Sequence, residues 1–546
     1  MKKLTIVIII AGLLATMTSC KKDFLQEEGY GATTAIFETQ EGLITLVNGQ
    51  YNRLRLTKMY GSQCWAYLTE MGNDMWLRGG NNTQVQLSEY RTLDATLSYN
   101  TDLWNHLYKG VWNANYFFEQ ANKVKWTSDD IKNKNWGENL TLKAFFLFNI
   151  VNFWGGVYLP KTTDYEEGLL AKRSSVEDFY QEIFKDLNEA LPLVPATSTE
   201  SGRVTKPVVE ALLARVHLYH KDWDDVVKYS TNVINNYNYS LISGWKNLIN
   251  NSTDRSKEFI WQVNYGPDVK YTGANDNWYF LAYAPFIDQF SGIQTELVWT
   301  GYGGCQLYPS IYNLNLWNRD ADARWKDGYQ TVWYYNKPNS KLPLQNTIHV
   351  DTALYFVPFT LTAQQKAWAT NRYYAKDIND LYNANGIAKD PKVFIGFKKF
   401  DAHDRPGALT TNNVTEDYSI IRLGDIYLMR AEANMNLGKN DLALDDIKAI
   451  RQRAAVPGYE TVMTNITAAD IDLNFILDER ARELGGENVR WFDLKRTGKL
   501  VERVKQYNPE AAPYIKEFHN LRPIPQQQFD GMPDPSTLGQ NEGYGY

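Results

Sequence analysis

Cysteine, histidine and clustered positive charge are all scarce in this chain, and each shortage removes a class of function. Three cysteines in 546 residues cannot frame a disulfide scaffold or a zinc cluster. Cys64 and Cys305 lie 241 positions apart and read as unpaired buried thiols, although an oxidising exterior would permit a bond. Six histidines leave little for metal ligation. His217 and His220 are spaced to share a helix face, but no third ligand is in sequence reach, so they read as surface or packing groups. Asp320, Asp322 and Asp327 lack the full calcium-loop spacing. Gly301-Tyr302-Gly303-Gly304 does not complete a dinucleotide fingerprint, and there is no Walker loop, nucleophile elbow or HExxH helix. The expectation is therefore no cofactor and no metal. A formal charge of −6 without runs of Lys and Arg argues against a nucleic-acid partner, whose phosphates demand clustered cations.

Beyond the first twenty residues no apolar run is long enough to cross a bilayer. Those twenty are themselves a targeting segment. Lys2 and Lys3 form a positive start, residues 4–15 are apolar, and Thr16-Met17-Thr18-Ser19 lead to Cys20. Small residues before a single Cys resemble a bacterial lipoprotein box, with Met17 where Leu is usual. Residues 1–19 would then be a signal peptide, and lipidated Cys20 the mature N-terminus. Acyl chains anchor strongly, at roughly 0.8 kcal/mol per buried CH₂. Losing Lys2 and Lys3 leaves 55 cations against 63 carboxylates, a net charge of −8.

What the chain has in abundance is aromatic side chains, 14% of its residues, and helical periodicity. Residues 20–35 read as a tether and 36–243 as a helical part. Leu43, Leu46, Val47, Tyr51 and Leu54 follow helical spacing. Residues 71–82 break it, with Asn73, Asp74, Trp76, Arg78, Gly79, Gly80, Asn81 and Asn82 reading as a polar loop carrying an exposed Trp. Helices resume over 103–124 and 140–153, the latter stopped by Gly155-Gly156 and Pro160. Residues 174–191 are amphipathic, with Ser174 and Glu177 placed as a capping box. Pro207 suits a first helical turn, and residues 207–234 form a helix–turn–helix like a tetratricopeptide unit. The same arrangement returns at 425–450, too distant for a tandem array, so the two are expected to pack together in space.

Residues 244–408 differ in character. Between Trp261 and Tyr335, 19 of 75 residues are aromatic. Phe259-Ile260-Trp261-Gln262-Val263 reads as a buried strand, while other aromatics sit among turn residues. Long loops on a rigid scaffold commonly carry recognition. Trp278, Tyr279, Trp299, Trp317, Trp333 and Tyr334, with Trp76, are the candidate platforms, and Arg78, Asn81 and Asn82 the candidate polar partners. A flat ring suits the C–H face of a sugar, and amides or Arg suit its hydroxyls. Each ring fits a core position equally well, so these residues mark a location rather than a set of contacts.

The C-terminal part, 409–546, carries the most recognisable order of residues. Ile420-Ile421-Arg422-Leu423-Gly424-Asp425 opens a stretch, 418–496, that reads as helical scaffold. Glu479 and Glu483, four apart on one helix, could be imagined as a glycosidase pair, but hydrolysis needs carboxyls facing each other across a substrate. With Arg480, Arg482 and Arg490 nearby they read as a salt-bridged packing network.

Taken in order, seven features resemble the SusD/RagB family of surface lipoproteins. They are the leader; residues 145–160 with their Gly-Gly-Val-Tyr-Leu-Pro ending; 179–191; 211–219; 320–324, with Ala321 where the family usually has Pro; 418–496; and a closing pair, Pro523-Ile524-Pro525 and Gly539 to Tyr544. The resemblance implies a mainly α fold, a scaffold of tetratricopeptide-like helical pairs with a loop-rich, aromatic-rich insert holding a few short strands, in one globular unit. It implies anchorage at the outer membrane facing outward, beneath it a SusC-like TonB-dependent β-barrel transporter, and capture of oligosaccharide for delivery to that barrel. Peptides or another nutrient are the alternative cargo. No catalysis is implied.

Overall fold

The computed structural model describes residues 34–61, 63–249, 255–265, 282–294, 304–337, 350–400 and 416–545. The helices that frame the fold, numbered in chain order, are α1 (Gln40–Arg55), α2 (Ser98–Ala121), α3 (Asp129–Trp154), α4 (Val176–Leu193), α5 (Lys206–His220), α6 (Trp223–Asn236), α7 (Leu423–Asn436), α8 (Asn440–Ala454), α9 (Leu473–Leu484) and α10 (Arg490–Arg496). Mainly α is the observed class, as the resemblance implied.

Helix α3 is the centre of the N-terminal half. Ser128 caps it by accepting from the Ile131 N–H at 3.3 Å, and Asp129 and Asp130 complement the helix dipole. Every residue from Gly137 to Trp154 is buried, with α2 and α4 packed against the helix. Gly110 of α2 allows the close approach: a Cβ there would sit 2.6 Å from the Phe146 ring. The buried amides of α3 are satisfied locally, Asn149 and Asn152 each donating to the carbonyl four residues back at 2.7 Å. Lys143 is paired with Glu182 and Asp186 of α4 at 2.7 and 3.0 Å.

The cap of α4 lies one residue later than the pattern suggested. Ser174 is outside the helix, its N–H donating to the Val157 carbonyl. Ser175 is the cap, and Asp178 returns the bond by accepting from the Ser175 N–H at 2.8 Å. Pro207 does fall in the first turn of α5. The two helix–turn–helix units, α5/α6 and α7/α8, pack together as expected. Arg215 of α5 donates to Asp425 of α7 at 2.7 Å, and Arg430 of α7 reaches Thr231 of α6 at 3.1 Å.

The strands are short: β1 (Trp76–Arg78), β2 (Phe259–Val263), β3 (Leu307–Pro309), β4 (Tyr329–Gln330), β5 (Val332–Tyr334), β6 (Thr352–Phe356), β7 (Tyr374–Lys376), β8 (Gly396–Phe397) and β9 (Tyr418–Arg422). β2 is the strand expected at 259–263, and its partner corrects the reading of 420–422 as helix. β9 runs antiparallel to β2, with Phe259 opposite Arg422 and Val263 opposite Tyr418; α7 starts only at Leu423. Paired β-branched Ile420 and Ile421 favour a strand once an apolar partner lies alongside. β1 pairs with β3, β4 with β8, and β5–β6–β7 form a three-stranded sheet. The insert is thus stitched to both helical halves. Cys64 and Cys305 are both buried and free, and among the described residues no helix is long and apolar enough to cross a membrane.

Candidate functional site

Residues 71–77, the first part of the loop expected at 71–82, are core, contrary to their composition. Trp76 is 1% exposed, its ring 4.6 Å from that of Tyr283 and 5.1 Å from that of Phe397. Asn73 accepts from the N–H groups of Met75 and Trp76, and Asp74 is buried in ion pairs with Arg490 and Arg503 at 2.6 and 2.8 Å. Asn82 is also buried, donating to the Gln306 carbonyl and Ser88. Arg78 is half-buried, its guanidinium held by Glu89 and the Asn82 carbonyl. Asn81 is exposed. Trp317 and Trp333 are buried against Tyr329 and Phe356 respectively. A ring with no open face cannot receive a sugar, so Trp76, Trp317 and Trp333 leave the set of platforms. Tyr334 is half-buried. Trp278, Tyr279 and Trp299 lie outside the described residues.

Glu479 and Glu483 are fully buried and clamped. Glu479 receives Arg324 at 2.9 Å and Arg451 and Arg482 at 2.8 Å each. Glu483 receives Arg422 at 2.6 Å and Arg324 at 3.1 Å, together with Arg453. Of the arginines named from sequence only Arg482 takes part; Arg480 pairs with Asp425 and Asp493, and Arg490 with Asp74. Asp322, one of the acidic trio, pairs with Arg324 at 2.9 Å. Both nitrogens of the His217/His220 pair that face Asp222 lie 2.8 Å from it, and the His217 ring stacks on Phe184. Among the described residues no group of three or more His, Cys, Asp or Glu could hold a metal ion.

An open cleft of about 920 Å³ lies where three distant segments meet. One wall is Tyr312 and Tyr507, stacked with ring centroids 4.2 Å apart. The Tyr312 hydroxyl donates to Asp478 at 2.6 Å and accepts from Arg503, whose guanidinium lies 4.9 and 5.2 Å from the two ring centroids. Burial, outweighing these guanidiniums, holds that hydroxyl well above the ordinary phenol range, so it remains a donor. Pinned at the hydroxyl, the ring is a fixed apolar wall. A turn through Asn383, Asn385 and Gly386 lines the cleft as well. Asn383 accepts from the N–H groups of Asn385 and Ile387, and Gly386 takes φ +77°, which glycine adopts without penalty. Asn379 joins the lining, with Lys389 and Lys505. None of these was singled out from the sequence. The run Asn379, Asn383, Asn385, Gly386 was the available signal, a turn richer in amides than its own hydrogen bonds require.

Beside the cleft lies a second aromatic surface. Trp368, on the helix Ala363–Thr370, is 55% exposed, with the Arg372 guanidinium 4.2 Å from its ring centroid and Tyr373 edge-on. The two areas are joined where Asn379 donates to Thr360 at 3.0 Å.

The SusD family model matches residues 257–544, more than half of the chain. The chain belongs to the SusD family. A second model, described as starch-binding and associating with the outer membrane, matches residues 23–218, so the two SusD-type matches reach from residue 23 to 544 apart from 219–256. SusD-like protein P25 of Formosa agariphila is 22% identical over 550 residues, spanning 97% of each chain. A SusD homologue from Bacteroides thetaiotaomicron has the same fold, with a TM-score of 0.69 at 20% identity over 94% of this chain and 99% of that one. Surface glycan-binding protein A of the same organism, in complex with laminarihexaose, gives a TM-score of 0.66 at 18% identity over 92% and 99%.

Proposed function

We propose that this SusD-family chain is a surface glycan-binding lipoprotein, tethered through lipidated Cys20 at the outer membrane, that captures oligosaccharide and passes it to a SusC-like TonB-dependent β-barrel. The cleft carries the reading: a stacked tyrosine pair and a turn of amides line the same cavity, the pairing that a sugar's C–H face and hydroxyls require. Its volume suits a few sugar rings, and its openness keeps the site wet, consistent with modest affinity. Family membership supports it, as does the shared fold of a protein that holds laminarihexaose. Glu479 and Glu483 have no part in it, since each is occupied by guanidiniums and cut off from solvent. Binding without hydrolysis is the proposed activity.

The test is affinity electrophoresis of the leaderless protein against a panel of polysaccharides, with a set of peptides titrated alongside. Retardation by at least one glycan, weakened about tenfold in Tyr507→Ala at a stacking contribution of ~1–1.5 kcal/mol, is the expected result. Binding confined to peptides would transfer the lid role to that cargo. No binding to any glycan would end the carbohydrate reading.

A further inference from the structure

We infer that the cleft is selective for acidic glycan, carboxylated or sulfated, over its neutral counterpart. This rests on the glycan reading of the same cleft and adds the charge class of the ligand. The observation is an asymmetry of charge. The chain as a whole is acidic, at −6, yet the described cleft lining contains Lys389 and Lys505 and no Asp or Glu. Its other polar groups are neutral, the amides of Asn379, Asn383, Asn385 and Gln506 among them.

Of the carboxylates close to the cleft, Asp478, Asp380 and Glu502 are held by cations, while Asp390 and Glu510 are held by neutral donors. Asp478, under Tyr312, takes Arg503 at 2.6 Å as well as the tyrosine hydroxyl. Asp380, behind Asn379, pairs with Lys366 at 2.6 Å. Glu502, a turn before Lys505 and Gln506, pairs with Lys499 at 2.7 Å. Asp390, next to Lys389, accepts from the Lys392 N–H at 3.0 Å. Glu510 accepts from the Arg78 N–H and the Tyr308 hydroxyl. Beneath the tyrosines, Arg490 and Arg503 are matched by Asp74 and Asp478. The two lysines of the lining are not matched in this way: Lys389 donates to a neutral carbonyl, that of Asn379, at 2.6 Å. Among the described residues no carboxylate pairs with either lysine. Lysines are thus the only charged groups on the described lining itself, the unmatched Asp390 and Glu510 lying outside it, and a ligand seated in the cleft meets their ammonium groups directly. Such a site attracts uronate or sulfate groups, and the amides remain to bind hydroxyls.

The experiment uses matched polymers that differ in charge: pectate and fully methyl-esterified pectin, carboxymethyl- and hydroxyethyl-cellulose, dextran sulfate and dextran. Leaderless protein is run in gels containing each. The expected result is retardation by at least one anionic member about tenfold stronger than by its neutral partner, as two partly screened charge contacts allow, and falling as NaCl is raised from 50 to 500 mM. Lys389→Gln/Lys505→Gln should treat the two members of that pair alike. Lys185→Gln/Lys228→Gln, which removes the same charge from exposed helix positions elsewhere, should keep the preference. Equal or stronger retardation by the neutral members overturns the inference and leaves the glycan reading standing. A preference lost equally in both double variants overturns it too, by assigning the effect to bulk charge. Retardation only by neutral glycans of the wider panel overturns the inference alone, and retardation by no glycan at all removes the glycan reading with it.

Discussion

Replacing Glu483 by Gln separates a scaffold role from a catalytic one. In the folded chain Arg324, Arg422, Arg451, Arg453, Arg482 and Lys399 face Glu258, Asp322, Glu479, Glu483 and Glu487, six cations against five carboxylates. The substitution adds an uncompensated charge in a site closed to solvent. Burial alone would raise the Glu483 carboxyl, but Arg453, Arg422 and Arg324 outweigh it and hold the group at about 2. Against an unfolded value of ~4.3, that depression is about 3 kcal/mol of stability at neutral pH. Breaking a buried ion pair by removing one partner costs ~3–5 kcal/mol by independent experience, so the two routes agree. Because the folded pKa is depressed, this stability is present above ~pH 4.3 and is lost as pH falls toward 2. The assay is urea unfolding of wild type and Glu483→Gln between pH 7 and 3, with glycan binding measured on the folded protein. We expect a loss of about 3–5 kcal/mol at pH 7, a difference between the two proteins that narrows at pH 3, and binding within twofold of wild type. A loss under 1 kcal/mol would refute the reasoning about the network. Release of sugar products by wild type, abolished in the variant, would refute the binding reading.

Two further outcomes follow from burial elsewhere. Trp76→Ala should cost ~3–5 kcal/mol in urea unfolding, because its ring is packed on Tyr283 and Phe397, while the folded variant keeps its glycan retardation; unchanged stability with lost retardation would restore Trp76 as a platform. Burial, aided by Arg53, holds His106 down to about 3, and burial with Arg522 and Lys516 holds His519 down to about 4. The unfolded chain takes up these protons near pH 6.5 and the folded chain does not, so stability falls as pH drops below 6.5, by about 4 kcal/mol for the pair at pH 5. His106→Gln/His519→Gln should flatten that slope of the unfolding free energy against pH, and an unchanged slope would discount both groups.

The parts of the fold that were legible in the sequence are those decided by residues close together in it. The apolar spacing along α4, Pro207 at the start of α5 and the turn between α7 and α8 are local signals, and each element formed within a residue or two of its expected place. The reading of Glu479 and Glu483 as packing groups was right for a local reason too, since two carboxylates on one helical face cannot clasp a substrate between them. Their partners were mostly misnamed because Arg324 comes from the insert and Arg422 from β9. The loop 71–82 failed on the same principle in reverse. Its Asn and Gly content looks solvated, but Asp74 meets Arg490 and Arg503, and Trp76 meets Phe397, more than 300 positions along the chain. Burial of a polar loop is set by partners that no window of sequence contains. The cleft has the same property. Tyr312, Asn383 and Tyr507 belong to three segments with no spacing pattern among them, and only the fold stacks one ring on the other. Aromatic density therefore pointed at the insert without separating buried rings from open ones: Trp317 and Trp333 pack on other rings, and a platform for sugar is a ring with one face left open. Tyr507, from the C-terminal helical part, is half-buried and lines the cleft, while Trp333, from the densest stretch, is buried.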